Sequence, residues 1–231
     1  MEFDVHAISK LRVFSSVFGV RIIEKDVSSI ECILKNIDED EVTIDEKDGI
    51  LSIKSNKDRR FFSHAVDGKR TVKILVPKGK HFQAIKLNVG LGVLKVKNIS
   101  TAKLKVNGGV GYSLFENVTV SELAKIESGV GKLEVLNSSF NNLRASGGVG
   151  SFSFQGKITG ESAVACGVGK IILDIDAKTE DYNIIGNSSK MFSGIVINGE
   201  KITSKYRKNH DAAHTLKLSG GIGRLEVMFK D

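Results

Sequence analysis

The sequence predicts an all-β protein: a single-stranded parallel β-solenoid (a β-helix or β-roll), right-handed by default, with coils of about 19–20 residues. Three observations predict it. A glycine–apolar–glycine phrase recurs at a near-constant interval. Apolar and polar residues alternate on both sides of that phrase. No window shows the 3.6-residue period of an amphipathic helix.

The phrases are Gly90-Leu91-Gly92, Gly109-Val110-Gly111, Gly129-Val130-Gly131, Gly148-Val149-Gly150 and Gly167-Val168-Gly169. Their first glycines are 19, 20, 19 and 19 residues apart, and Gly221-Ile222-Gly223 follows after 54. A dinucleotide loop needs a third glycine and a following helix, whereas "GVGKII" and "GVGKLE" run into strand-like sequence. A calcium-binding nonapeptide roll needs an aspartate after the phrase, where Ser113 and Phe152 stand instead. The glycines therefore read as structural corners that let the backbone turn or approach the next coil closely.

Four columns flank the corners. The third residue before each first glycine is Leu87, Val106, Ile126, Ala145, Val164 or Leu218. The fifth before is Ile85, Leu104, Ala124, Leu143, Ser162 or Leu216. The second after the last glycine is Leu94, Ser113, Leu133, Phe152, Ile171 or Leu225, and the fourth after is Val96, Phe115, Val135, Phe154, Leu173 or Val227. These positions line the inner face of two strands per coil. The residue between the glycines is always Leu, Val or Ile, so the corner is also expected to point a side chain inward. One coil buries too few side chains to fold alone, so stacking is essential.

The division expected within residues 1–231, taken as one domain, has three parts. Residues 1–80 form N-terminal coils and a cap, with strand-like "KLRVFSS", "GVRIIEK", "SIECILKN", "EVTID", "GILSIKS" and "RTVKILVPKG". Residues 81–173 are the regular coils. Residues 174–231 form a widened coil or inserted hairpin that closes the far end, where charged or irregular caps protect open strand edges.

Composition narrows the class. The 231 residues are 41% hydrophobic and 26% charged, with one proline and no tryptophan. The net charge of +7 and a pI near 9.3 favour polyanions such as anionic glycan, lipid or nucleic acid. Cys32 and Cys166 form no C-x-x-C pair and read as buried free thiols of a reducing compartment, with a single disulfide between them as the alternative. No signal peptide and no membrane-spanning run is present, so the chain as written is expected to be cytoplasmic, with envelope association through a trimmed anchor as the alternative.

The serial G-V-G-x-[ILV] corners, the lead-in "GILSIKS…VKILVPKG", and "DYNI" followed by "IVINGEKI" and a final "GGIGRLEV" resemble the bacterial putative-adhesin family of domains of unknown function. The resemblance spans nearly the whole chain and rests on structural motifs. It implies a β-solenoid without established catalytic residues, associated with the cell envelope and often membrane-anchored. This chain is expected to depart from the family in lacking an anchor or signal as written.

One outward column has chemical character. The fourth residue before each first glycine is Lys86, Lys105, Lys125, Arg144, Ala163 or Lys217. Stacked, five cations would form a ladder with rungs about 5 Å apart, well inside a Debye length of about 8 Å. The plain account is a solvated face, softened by Glu122, Glu127 and Glu161, on which lysine discourages edge-to-edge aggregation. The functional account is a site for a polyanion, such as an anionic envelope polymer or lipid headgroups, with another protein as the alternative partner.

Other candidates are weaker. Asp174 and Asp176, with Glu180 and Asp181 beyond, suggest the calcium-binding carboxylates of a solenoid lyase, but only one coil supplies such a pair. His210, His214 and Asp211 lie in a loop rather than on a helix, and His6, His64 and His81 are isolated. "KITSKYRKNH" offers Lys201, Lys205, Arg207 and Lys208 beside Tyr206, without a nucleic-acid fold motif. The sequence thus predicts a non-enzymatic adhesin-like binding or scaffold module, with no cofactor or metal. The alternatives are a solenoid-type carbohydrate lyase and self-assembly through the open ends.

Overall fold

A computed structural model describes residues 1–56, 69–187, 193–202 and 205–230. Among them there is no α-helix, and nineteen strands join one hydrogen-bonded sheet. The sheet mixes parallel and antiparallel pairs and curls nearly closed, like a barrel, around a continuous apolar core.

The middle of the chain follows its period. The extended run β8 (His81–Glu127) passes unbroken through two glycine corners. Beyond it, β10 (Leu143–Ser146), β12 (Glu161–Ala165) and β18 (His214–Ser219) each approach a corner. β9 (Val130–Asn141), β11 (Val149–Thr159), β13 (Val168–Ile175) and β19 (Ile222–Phe229) each begin at the residue between two glycines. All these neighbours pair in parallel. Arg144 faces Lys125 and Ala163, and Val149 faces Val130 and Val168. The last repeat stacks despite its longer gap, with Lys217 opposite Ala163 and Gly223 opposite Gly169.

The four apolar columns form the core. Leu87, Val106, Leu94, Phe115, Leu173 and Val227 are all at most 1% exposed. Two serines interrupt these columns: Ser113 is half-buried, while Ser162 is 2% exposed and satisfied, its hydroxyl accepting from the Leu143 amide at 2.9 Å and donating to the Thr159 carbonyl at 3.3 Å. The glycine corners stack backbone on backbone. A Cβ on Gly148 would lie 2.0 Å from the carbonyl oxygens of both Ser128 and Gly129, closer than any carbon tolerates.

The residue between the glycines does not point inward. Val110, Val130, Val149, Val168 and Ile222 are 46–59% exposed. The physical reason is the second glycine of each corner, such as Gly150 at φ +131°. That torsion breaks the strict in–out alternation of a strand, so the apex side chain stands out on the bend.

A second corner series follows the same period. Asn98, Asn117 and Asn137 sit at φ +57°, +54° and +49°, and Gly156 takes the next place at φ +139°. Asparagine tolerates the left-handed region better than other side-chain-bearing residues. Here the Asn117 amide also donates to Asn98 Oδ1 at 2.9 Å, tying adjacent turns together.

The ends depart from parallel winding. β2 (Lys10–Ser15) and β3 (Gly19–Lys25) lie parallel on β8, with Arg12 opposite Lys86 and Ile22 opposite Val96. β6 (Ile50–Ser55) and β7 (Thr71–Pro77) cover them in parallel. β5 (Val42–Lys47) then pairs antiparallel with β6, β4 (Ile30–Lys35) with β7, and β1 (Glu2–Phe3) with β4. At the other end β14 (Tyr182–Asn187) continues from β18 and β15 (Ser193–Ile197) from β19. β17 (Lys205–Lys208) and β16 (Glu200–Ile202) close them antiparallel. Parallel pairing therefore runs through the middle of the chain and not through these edges, and the sheet as a whole is a mixed, barrel-like one rather than the single-stranded parallel solenoid expected. Two-residue turns explain two of these antiparallel pairs, β5–β6 and β15–β16. Asp48-Gly49 and Asn198-Gly199 hold positive φ at both positions, and such turns join antiparallel strands, whereas a parallel return needs a longer crossover.

The expectation of two buried thiols holds for one of them. Cys32 is buried at 4% exposure, Cys166 is only half-buried, and both are free.

Candidate binding face

The cationic column is a physical row. Parallel register aligns Lys125, Arg144, Ala163 and Lys217 on adjacent strands. Lys86 and Lys105 line one shallow surface depression with Arg12 and Lys125. Long-range pairing adds two members that the period does not reveal. Arg12 stands opposite Lys86. At the far end Ile185 stands opposite Lys217, and Arg207 opposite Ile185.

Lys105, Lys125, Arg144, Lys217, Arg12 and Arg207 are exposed, while Lys86 is half-buried with its ammonium 5.3 Å from the centroid of the Phe14 ring. Among the described residues, no ion pair involves any of these seven cations. Glu122, read from sequence as a neutralising neighbour, pairs with Lys103 at 3.3 Å instead. Glu127 lies in the next outward column, opposite Ser146, and Glu161 faces Thr215.

The face on the other side of the corner is built differently. Lys132 pairs with Glu134 at 2.7 Å, Arg224 with Glu226 at 3.2 Å and Lys170 with Glu226 at 3.9 Å, and Lys97 pairs with Glu116. Tyr112 donates its hydroxyl to Glu134 at 2.6 Å. Hydrogen bonds from Lys132 and then Tyr112 hold the Glu134 carboxyl below its ordinary range. Burial, aided by that bond to Glu134, pushes the Tyr112 phenol up to about 12.

The remaining candidates disperse. Asp176 is ion-paired with Lys230, and Asp174 stands between Gln155 and Met228. Glu180 pairs with Lys178 at 3.5 Å. His214 accepts the Gly160 amide at 3.3 Å and packs on Tyr182 with ring centroids 5.4 Å apart, while His210 contacts Asp211 at 3.0 Å. His81 contacts Ser100 at 2.8 Å, His6 is exposed, and His64 lies outside the described residues. Among the described residues, no three His, Cys, Asp or Glu side chains gather as a metal site. Tyr206 packs against the core edge, so the basic segment offers Lys205 and Arg207 without an exposed aromatic platform. No helix among the described residues is long and apolar enough to cross a membrane.

No protein-family model and no curated protein matches the chain. Two solved structures resemble it. A putative adhesin from Bacteroides fragilis shares 17% identity over 98% of this chain and 95% of its own, with a TM-score of 0.53. A putative cell adhesion protein from Clostridium sporogenes shares 14% identity over 100% and 97%, with a TM-score of 0.42. The Bacteroides likeness shows a common fold, so this chain has an adhesin-like all-β fold.

Proposed function

We propose that this protein is a non-enzymatic, adhesin-like binding and scaffold module of the bacterial cell envelope. Its repeats wind as a parallel β-solenoid across residues 81–173, capped at both ends by antiparallel hairpins. The resulting surface holds Arg12, Lys86, Lys105, Lys125, Arg144 and Lys217 in a fixed row that takes a polyanion.

One observation carries this reading: among the described residues the row lacks carboxylate partners, while beyond the corner Lys97, Lys132, Lys170 and Arg224 each pair with a glutamate and the N-terminal stack of Lys73, Arg21 and Lys95 does not. Like charges about 4.8 Å apart repel, and an anionic ligand relieves that repulsion. The description of the Bacteroides structure as a putative adhesin supports a binding role. Binding of heparin, as a soluble polyanion, across a salt series is the test. Affinity should fall steeply with salt and drop on Lys125→Glu with Arg144→Glu. Salt-independent binding, or no change in that variant, ends the reading.

A further inference from the structure

A soluble polyanion leaves one feature of the surface unused. Val110, Val130, Val149, Val168 and Ile222 face one another in continuous parallel register, and each is about half exposed. Four steps of about 4.8 Å make this an apolar ridge of about 20 Å. A single exposed valine is ordinary, but an aligned series of five marks a contact surface. The turn itself depends on the glycines, so the fold does not require an apolar side chain at the apex.

The ridge and the cationic row border the same surface. Lys105, Lys125, Arg144 and Lys217 each precede a ridge residue by five positions, at most about 17 Å along extended chain. One shallow depression is lined both by Asn107, in the strip between row and ridge, and by Val110 on the ridge. That intervening strip is otherwise Glu127, Ser146, Ala165 and Ser219, so it carries a single carboxylate. On the ridge's other flank Lys132, Lys170 and Arg224 are already paired with glutamates. The unbalanced charge therefore lies on one side.

Resting on the polyanion reading above, we infer that the occupant of this face is an anionic lipid bilayer. The valine ridge enters the interfacial layer while the cationic row meets headgroup phosphates. A second copy of the chain seated on the ridge would bring two like-charged rows together. A folded protein partner concentrates its contacts on a few anchors in pockets. This ridge instead repeats nearly one side chain along its length, which suits a fluid headgroup layer.

The test uses the full chain with vesicles of phosphatidylglycerol and phosphatidylcholine, vesicles of phosphatidylcholine alone, and heparin. Anionic vesicles should bind and neutral ones should not. Lys125→Glu with Arg144→Glu should weaken binding to both vesicles and heparin, by about fivefold per charge. Val130→Ser with Val149→Ser should weaken vesicle binding about tenfold and leave heparin binding unchanged. Both variants alter exposed side chains, and a melting temperature no lower than that of the wild type checks that they fold. Wild-type vesicle binding by the serine variant overturns the inference, as does its loss of heparin binding or equal binding of neutral vesicles by the wild type. Heparin binding without vesicle binding also overturns it, yet leaves the polyanion reading standing. Failure to bind either probe ends both.

Discussion

The two faces that meet at the glycine corners use similar residues in opposite ways. Before the corner, cations stack on cations. After it, Lys132, Lys170 and Arg224 find Glu134 and Glu226, and Lys97 finds Glu116. Backbone geometry is shared, since both faces are parallel ladders with the same period. The difference is therefore one of sequence on a common frame. A stack of identical rungs turns any residue choice into a stripe: alternating signs along a stripe neutralise it, and a repeated sign leaves a field at the surface.

The harshest way to erase this contrast is to remove the corner that separates the faces. Gly148→Val would drive its Cβ into the Ser128 and Gly129 carbonyls, and backbone cannot yield there without unstacking neighbours. A loss beyond about 4 kcal/mol, or failure to fold, is expected in chemical unfolding. A stable variant would mean the corners are not close-packed.

Next in size is a charge reversal on each face in turn. Lys125→Glu with Arg144→Glu should lower heparin affinity by an order of magnitude or more, about fivefold per charge. Its melting temperature should hold or rise, since repulsion within the row is relieved. Lys132→Glu with Lys170→Glu removes ion pairs instead, so it should lower the melting temperature modestly and change heparin affinity less. Equal effects on affinity from the two variants would dissolve the distinction between the faces.

The paired face should also show a pH signature. Glu134 titrates below its ordinary value, so its contribution to stability is present above pH 4.5 and is lost as pH falls through the folded value. Tyr112 titrates near 12, so its contribution is complete below pH 10 and is lost between 10 and 12. Ultraviolet titration should find one fewer high-titrating phenol in Tyr112→Phe, while the Tyr182 phenol, buried and likewise pushed up to about 12, remains. Loss of a phenol that titrates near the ordinary value of 10 instead would rule out the Tyr112–Glu134 bond.

The smallest effect concerns the thiols. Burial raises the Cys32 thiol to about 12, and the half-buried Cys166 is raised as well. Maleimide should label Cys166 slowly and Cys32 only on unfolding. Faster labelling of Cys32 would contradict the packing of the N-terminal strands.

Much of the middle was legible because two periods coincide there. Period-two alternation assigned Leu87, Phe115 and Leu173 to the core, and the 19- to 20-residue interval placed Lys125 beside Arg144. The asparagine corners follow the same period, at positions 98, 117 and 137, but a lone asparagine in a strand-like run marks a turn less plainly than a glycine pair. The direction of Val130 was not legible, because a residue between two glycines is not bound by strand alternation.

Local chemistry in the sequence by itself determined the all-β class, the glycine turns, the inward columns and the repeated cations, since each depends on residues near one another or one period apart. Only the tertiary structure decided that Arg12 and Arg207 extend the row, that hairpins cap both ends and that the valines face outward. The reason is range. Arg12 meets Lys86 from 74 positions away in the sequence, and no periodicity spans that distance. Pairing of that kind is chosen by how the whole sheet closes around its core.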